Sequence, residues 1–325
     1  MEKINIKFFL LIIFMLFLTT ISSEGKKHTI HTIGDSTVSN WDSISYYPKT
    51  GWGQVFKYFF NPDSVLIDNT AVSGASSKTF YNKFWTTTKK TIDVGDFVLI
   101  QFGINDTNTN PAIGTDPQTT FKDYLTSYVN ETRAKGAYPV LITPQIWNNF
   151  EKGTWGLFPE AIRQLAITLN VPLIDLDEMS KSLIKSVGSD YATNFIYMNL
   201  VAGEYTQYAE GSKDNTHLQE MGAIEIAKLV VAGIRNLSSD QYVQKLIPLL
   251  SPTYKITFTT NNPALGIITR SGYFPEGITV TAKAIPFKGA KFNDWSGDIT
   301  GSKAIFSFIM GNVDKKIKAN FKDSL

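Results

Sequence analysis

Four short segments carry side chains that could together move an acyl group: Gly34-Asp35-Ser36-Thr37, Ser73-Gly74, Gly103-Ile104-Asn105-Asp106 and Asp214-Asn215-Thr216-His217. Between them they hold a hydroxyl, an imidazole, a carboxylate that can orient the imidazole, and donors for a developing oxyanion. The chain has 3 histidines. His28 and His31 fall in a Thr/Ile/His run that reads as a first strand, which suits a structural role. His217 is left as the base, with Asp214 close enough in sequence to reach one ring nitrogen while the other faces a serine. Each segment also has an ordinary reading. Asp-Ser-Thr after a strand is a common N-cap, Ser73-Gly74 and Gly-Ile-Asn-Asp are common turns, and Asp214 with Thr216 and His217 could merely open a helix.

The order of the elements gives the four segments their weight. Apolar β-rich runs at 30–33, 65–67, 97–102, 139–142 and 172–174 alternate with helical patterns at 53–60, 118–135, 159–170, 178–187 and 219–237. Such alternation predicts a parallel sheet covered by helices on both faces, a three-layer α/β/α sandwich. Ser36, Gly74 and Asn105 then follow three successive strands at their carboxyl ends, where α/β enzymes place their chemistry. His217 comes just before the final helix of the region.

From about Thr29 to Leu237 the chain resembles the SGNH or GDSL hydrolase family, whose four blocks carry Ser, Gly, Asn and His. The resemblance implies a flavodoxin-like fold with no cofactor or metal. It implies Ser36 as nucleophile, His217 as general base and acid, and Asp214 as the orienting carboxylate. The oxyanion hole would comprise the N–H groups of Ser36 and Gly74 and the Asn105 amide. Asp35 and Asp106 are expected to fix loops by accepting backbone hydrogen bonds. Around the blocks, Tyr47-Pro48, Thr50-Gly51-Trp52-Gly53, the run 69–80, Gln101-Phe102-Gly103, Thr143-Pro144 and Asp214-Asn215-Thr216-His217-Leu218 resemble the rhamnogalacturonan acetylesterase branch. The implied substrate is an acetylated plant polysaccharide, with acetylxylan or another hemicellulose as the alternative. Trp52 and Trp147 are candidate sugar-binding rings among the tryptophans of this region. Two departures bear on the polymer: Ile104 stands where the branch commonly has His, and 145–149 replaces an arginine-bearing segment suited to a uronate carboxylate. Lys49, Lys78 and Arg163 are the cations that could compensate. A metal-dependent phosphoesterase built on Asp35, Asp106, Asp214, His217 and Asn105, and a non-catalytic glycan-binding surface protein, are the readings from other classes.

The remaining sequence frames this region. Lys3 and Lys7 precede the apolar run 8–18 and then small and polar residues, a signal peptide at 1–25 too short in its apolar core to span a bilayer, which implies secretion. The absence of cysteine excludes disulfides and thiolate chemistry, and a net charge of +2 with mixed signs gives no nucleic-acid groove. After the catalytic region, 26–238, a Pro-containing stretch at 239–253 reads as a linker. Residues 254–325 alternate Thr, Ile, Phe and Val with Gly-containing turns and form a small all-β domain. Its runs 273–280, 292–298 and 306–310 resemble the divergent B-repeat domains of bacterial surface and secreted proteins. A spacer, a glycan-binding module and a protein-binding domain are its open roles, and Trp295 is expected in its core.

Overall fold

The computed structural model describes residues 27–149 and 154–324, so the expected signal peptide lies outside the described residues. Five strands, β1 (His28–Ile33), β2 (Val65–Asn69), β3 (Phe97–Gln101), β4 (Tyr138–Ile142) and β5 (Leu173–Ile174), form one sheet in the order β2-β1-β3-β4-β5. Every pairing in it is parallel. The central strand β3 is buried along its whole length, and its side chains alternate between two cores. Phe97 and Leu99 meet the helices Trp52–Phe56, Leu176–Val187 and Glu220–Asn236, whereas Val98 and Ile100 meet Thr120–Ala134 and Phe158–Leu169. The α/β/α sandwich expected from the alternation is therefore the observed fold.

Local chemistry sets several boundaries. Ser76 and Thr79 form a reciprocal capping box that starts the helix Ser77–Phe80, and the Asp175 side chain caps Leu176–Val187 by accepting from the Glu178 N–H. Asn170, with φ of 50°, closes Phe158–Leu169 in the left-handed conformation that asparagine tolerates. The helix expected at 53–60 is shorter and tightens into a 3₁₀ turn at Lys57–Phe59. Two of the elements that the sequence pattern does not announce bear on the site. One is the helical run from Ser77 to Thr91, and the other is an antiparallel pair, β6 (Tyr197–Leu200) with β7 (Ser212–Leu218).

The stretch 239–253 corrects the expectation of a linker. Val243–Leu249 is a 3₁₀ helix that buries Val243 and Leu246, and flanking backbone bonds tie Asn61 to Leu249 and Ser251 to Phe59. The chain then enters strands β8 (Thr253–Thr260), β9 (Gly266–Ile268), β10 (Gly272–Pro275), β11 (Thr279–Pro286), β12 (Ala290–Gly297), β13 (Ile305–Ile309) and β14 (Lys315–Asp323). They make two sheets, β10-β8-β14-β12 and β13-β11-β9, antiparallel except where β14 joins β8. Trp295 is buried in their core. That core is continuous with the one beneath Trp52 and Ile224, so the β domain is fused to the catalytic region along an apolar seam.

A polar cluster punctuates the seam. Glu220 Oε2 accepts from Thr281 Oγ1 at 2.7 Å and from Tyr47 Oη at 3.2 Å, and Tyr47 Oη also lies 2.9 Å from Ser307 Oγ. Burial pushes the Glu220 carboxyl from 4.5 up to about 7, although the hydroxyl donors oppose the shift. The folded state thus keeps a proton that the unfolded chain has already released. The contribution of Glu220 to stability is complete below pH 4.5 and is lost as pH rises through about 7. Thermal melts of Glu220→Gln and the parent protein across that interval should show the variant gaining in relative Tm as pH rises. A constant difference would contradict this account.

Candidate active site

Because β2, β1 and β3 are neighbours in the sheet, the loops leaving their carboxyl ends lie side by side. The β1 loop carries Ser36, the β2 loop Gly74 and the β3 loop Asn105. Gly34 begins the first of them where β1 closely approaches β3: a Cβ there would fall 2.7 Å from the Gln101 carbonyl oxygen. The Asp35 carbonyl accepts the N–H groups of Val38 and Ser39, making a tight turn in which Ser36 is 6% exposed. Asp35 Oδ1 accepts from the Thr37 N–H at 2.9 Å and its hydroxyl at 2.7 Å. Burial raises the Asp35 carboxyl to about 6 despite those bonds. Below the turn, Gln101 Nε2 donates to Thr37 Oγ1 at 2.9 Å and Gln101 Oε1 accepts from Trp52 Nε1 at 2.8 Å. A buried hydrogen-bonded column therefore supports the serine from beneath.

His217 and Asp214 arrive on β7, just before the helix Glu220–Asn236. His217 Nε2 lies 2.9 Å from Ser36 Oγ, and Nδ1 lies 2.7 Å from Asp214 Oδ2. Asp214 Oδ1 accepts the N–H groups of Thr216 and His217, both at 3.0 Å. Burial disfavours the ionised carboxyl, but the His217 ring and these two N–H groups outweigh it and hold Asp214 well below the usual carboxylate range. An ionised Asp214 can only accept, so Nδ1 carries the ring proton and Nε2 is free to accept the serine proton.

The other loops present donors. Gly74 has φ of +78°, which favours glycine, and nothing lies within 4 Å of where its Cβ would be, so its face is open. Asn105 Nδ2 donates one hydrogen to the Ala75 carbonyl at 3.0 Å and keeps a second for a ligand. Asp106 accepts from Ser77, Thr115 and the Gly103 N–H, which pins the β3 loop to the β2 loop. Asp106 is thus occupied with loop donors, and Asp35 engages Thr37 through Oδ1 while Oδ2 is buried without a hydrogen-bond partner among the described residues. Among the described residues, no group of three or more His, Asp and Glu is arranged to hold a metal.

The two tryptophan expectations diverge. Trp52 is fully buried with its N–H on Gln101, because its ring fills the core under the site, so it cannot meet a sugar. Trp147 is half-buried, 5.9 Å from the Trp155 ring, on a segment joined to the His217 strand by the bond from the Asn148 N–H to the Asn215 carbonyl. Trp41, one of the tryptophans of this region whose rings could suit a sugar face, instead packs on the serine and histidine. Its indole donates to the Ser36 carbonyl at 2.9 Å and stands edge-on to the His217 ring at 5.6 Å. Lys49 lies 4.7 Å over the Trp41 ring and 3.6 Å from Asp214 Oδ2. His31 is buried between Asp68 and Asp96, away from the site, as its strand position implied.

Residues 32–220, which span Ser36 through His217, match the GDSL-like lipase/acylhydrolase family. The chain belongs to this family. This acylhydrolase is a carboxylic ester hydrolase with a second match, to the divergent InlB B-repeat domain, over residues 256–325. It is 38% identical over 210 residues to the rhamnogalacturonan acetylesterase RhgT of Bacillus subtilis, covering 63% of this chain and 88% of that protein. It is 37% identical over 215 residues to the probable rhamnogalacturonan acetylesterase YesY of the same organism, covering 64% of this chain and 93% of that one. Among solved structures, the B. subtilis YxiM protein superposes with a TM-score of 0.55 at 26% identity, over 66% of this chain and 58% of that one.

The Trp52 assignment can be tested directly. Trp52→Phe leaves buried Gln101 Oε1 without its donor and should cost about 1–3 kcal/mol in urea unfolding. KM for an acetylated oligosaccharide should not change. A raised KM with unchanged stability would instead return Trp52 to the binding surface.

Proposed function

We propose that this acylhydrolase is a secreted carbohydrate esterase that removes O-acetyl groups from pectic rhamnogalacturonan, with Ser36, His217 and Asp214 as its catalytic triad. Ser36 Oγ attacks the acetyl carbonyl while His217 Nε2 takes the hydroxyl proton. The N–H groups of Ser36 and Gly74 and the Asn105 amide receive the negative charge formed on the carbonyl oxygen. The sugar oxygen leaves with the proton from His217, giving an acetyl-serine. Water then attacks that ester, transferring a proton to His217, and acetate departs as the proton returns to Ser36. Asp214 holds the ring and stabilises the imidazolium without becoming protonated, which suits a carboxyl held so far down.

The polymer assignment rests on the 38% identity to RhgT across 88% of that protein. The cations near the site lend support. Arg163 is committed to Asp175 and Asp177, and Lys78 donates to the Pro111 carbonyl, so neither is placed to meet a substrate. Lys49 stands beside Asp214 and over Trp41, where its ammonium could receive a uronate carboxylate in place of the missing arginine. Secretion rests on the charged and apolar pattern of residues 1–25, and no helix among the described residues is long and apolar enough to cross a membrane.

Acetate release from acetylated rhamnogalacturonan and acetylated xylan, measured in parallel, tests the substrate. Release confined to the pectic polymer is expected, and release mainly from xylan would keep the triad but overturn the polymer. On an aryl acetate, Ser36→Ala should lose about 10⁶-fold in kcat and Asp214→Asn about 10⁴-fold. Asn105→Ala should lose about 10²–10³-fold. Full activity of Ser36→Ala would sink the mechanism. Lys49→Met should raise KM for the pectic polymer about tenfold, the value of one charge-assisted contact, and leave KM for the uncharged aryl acetate unchanged. Equal changes would remove Lys49 from uronate recognition.

A further inference from the structure

The β domain sends two side chains under the catalytic strand. Thr281 and Lys283 are two apart on β11 and share one face of it. Thr281 reaches Glu220, three residues after His217, in the cluster described above. Lys283 is 3% exposed and forms an ion pair with Glu204, with side-chain exposures of 4% and 5%. Glu204 belongs to the connection between β6 and β7, and its Oε2 accepts the Val201 N–H at 3.0 Å. Among the described residues, no donor other than the Lys283 ammonium reaches Glu204 Oε1.

The same ammonium donates to the Asn194 carbonyl at 2.8 Å. That carbonyl also accepts from Gln219 Nε2 at 3.0 Å, and Gln219 bonds the Tyr197 carbonyl at 2.6 Å and, through its N–H, the Ile196 carbonyl at 2.8 Å. Gln219 is two residues from His217. Lys283 therefore holds the connection that leads into β7 through Glu204, and shares the Asn194 carbonyl with Gln219, the residue that follows β7. A buried ion pair adds little to stability over an apolar pair of similar shape, but displacing either partner leaves a charge buried alone, which costs far more.

We propose that Lys283, supplied by the C-terminal β domain, is a positioning residue for the catalytic histidine, so that the β domain acts as a built-in buttress of the active site. The proposal rests on the reading of Ser36, His217 and Asp214 as a triad. It gives the domain a role distinct from a mobile spacer or an independent glycan-binding module. A β domain on a flexible tether could not hold His217 in place. The folded segment 239–253 and the shared core supply the rigid attachment this role needs.

The test uses the full-length enzyme on an aryl acetate, with kcat and KM measured well below the melting temperature of each variant. The downfield proton resonance of His217 Nδ1–H, expected from its 2.7 Å bond to Asp214, reports the geometry independently. Lys283→Met should lower kcat about tenfold to a hundredfold, the range for a small misplacement of a catalytic group, with KM unchanged and the resonance shifted or broadened. The double variant Lys283→Met with Glu204→Gln removes the stranded charge. It should fold where the single variant fails and still turn over more slowly than the parent enzyme. A folded single or double variant with parental kcat and an unshifted resonance would overturn the buttress. Failure of the triad reading is distinguished by Ser36→Ala, which would then keep its activity whatever Lys283 does.

Discussion

The 2.9 Å contact between His217 Nε2 and Ser36 Oγ joins side chains 181 positions apart, one following the central parallel sheet and the other on a separate antiparallel pair. Hydrogen-bonded proton transfer tolerates only a few tenths of an ångström of error in such a contact. The serine side meets that demand through the sheet, whose neighbouring strands fix three loops at one edge. The histidine side has no such frame. Its strand pairs with β6 alone in a sheet, and its position depends on the Asp214 hydrogen bonds, on backbone bonds from Asn148 to Asn215 and from Thr50 to Leu218, on Gln219, and on residues of the β domain beneath.

Several carboxyls near the site share a second theme, because burial works against their ionised forms and local donors offset it to different extents. Asp214 has the imidazole and two N–H groups and stays ionised. Asp35 has only Thr37 and rises to about 6, while Asp106 gathers donors from three residues and is still raised by its burial. Glu220 has two hydroxyls and rises to about 7. The cationic imidazole beside Asp214 is what separates the carboxyl held as an anion from those, met mainly by neutral donors, that burial raises and that brace loops and the domain seam.

Periodicity made the α/β/α sandwich legible. Apolar runs such as 97–102, buried on both faces, have few alternatives to a central parallel strand. The strands β6 and β7 were not legible because Ser212–Leu218 is largely polar and half-buried, with no alternating apolar pattern to announce it. The stretch 239–253 looked like a linker because its prolines signal interruption. Its Val243 and Leu246 nonetheless find a core, on a short 3₁₀ helix that carries Pro248 near its C-terminal end. Trp52 looked like a sugar platform because a tryptophan among glycines suggests a loop, yet only packing decides whether an indole faces water or Gln101.

The sequence by itself determined which side chains are available for acyl transfer, a serine hydroxyl, an imidazole with a nearby carboxylate, and loop donors after successive strands. These are encoded by residue type and by order along the chain, and the parallel sheet converts that order into adjacency. Only the tertiary structure decided what surrounds the triad, including Trp41 and Lys49 beside it, Trp52 withdrawn below it, and Lys283 reaching in from a domain that sequence alone had made a candidate spacer. The reason is physical. Strand and helix patterns are local properties of the chain, whereas the partner of a buried charge or ring is chosen by whichever distant segment folding brings against it.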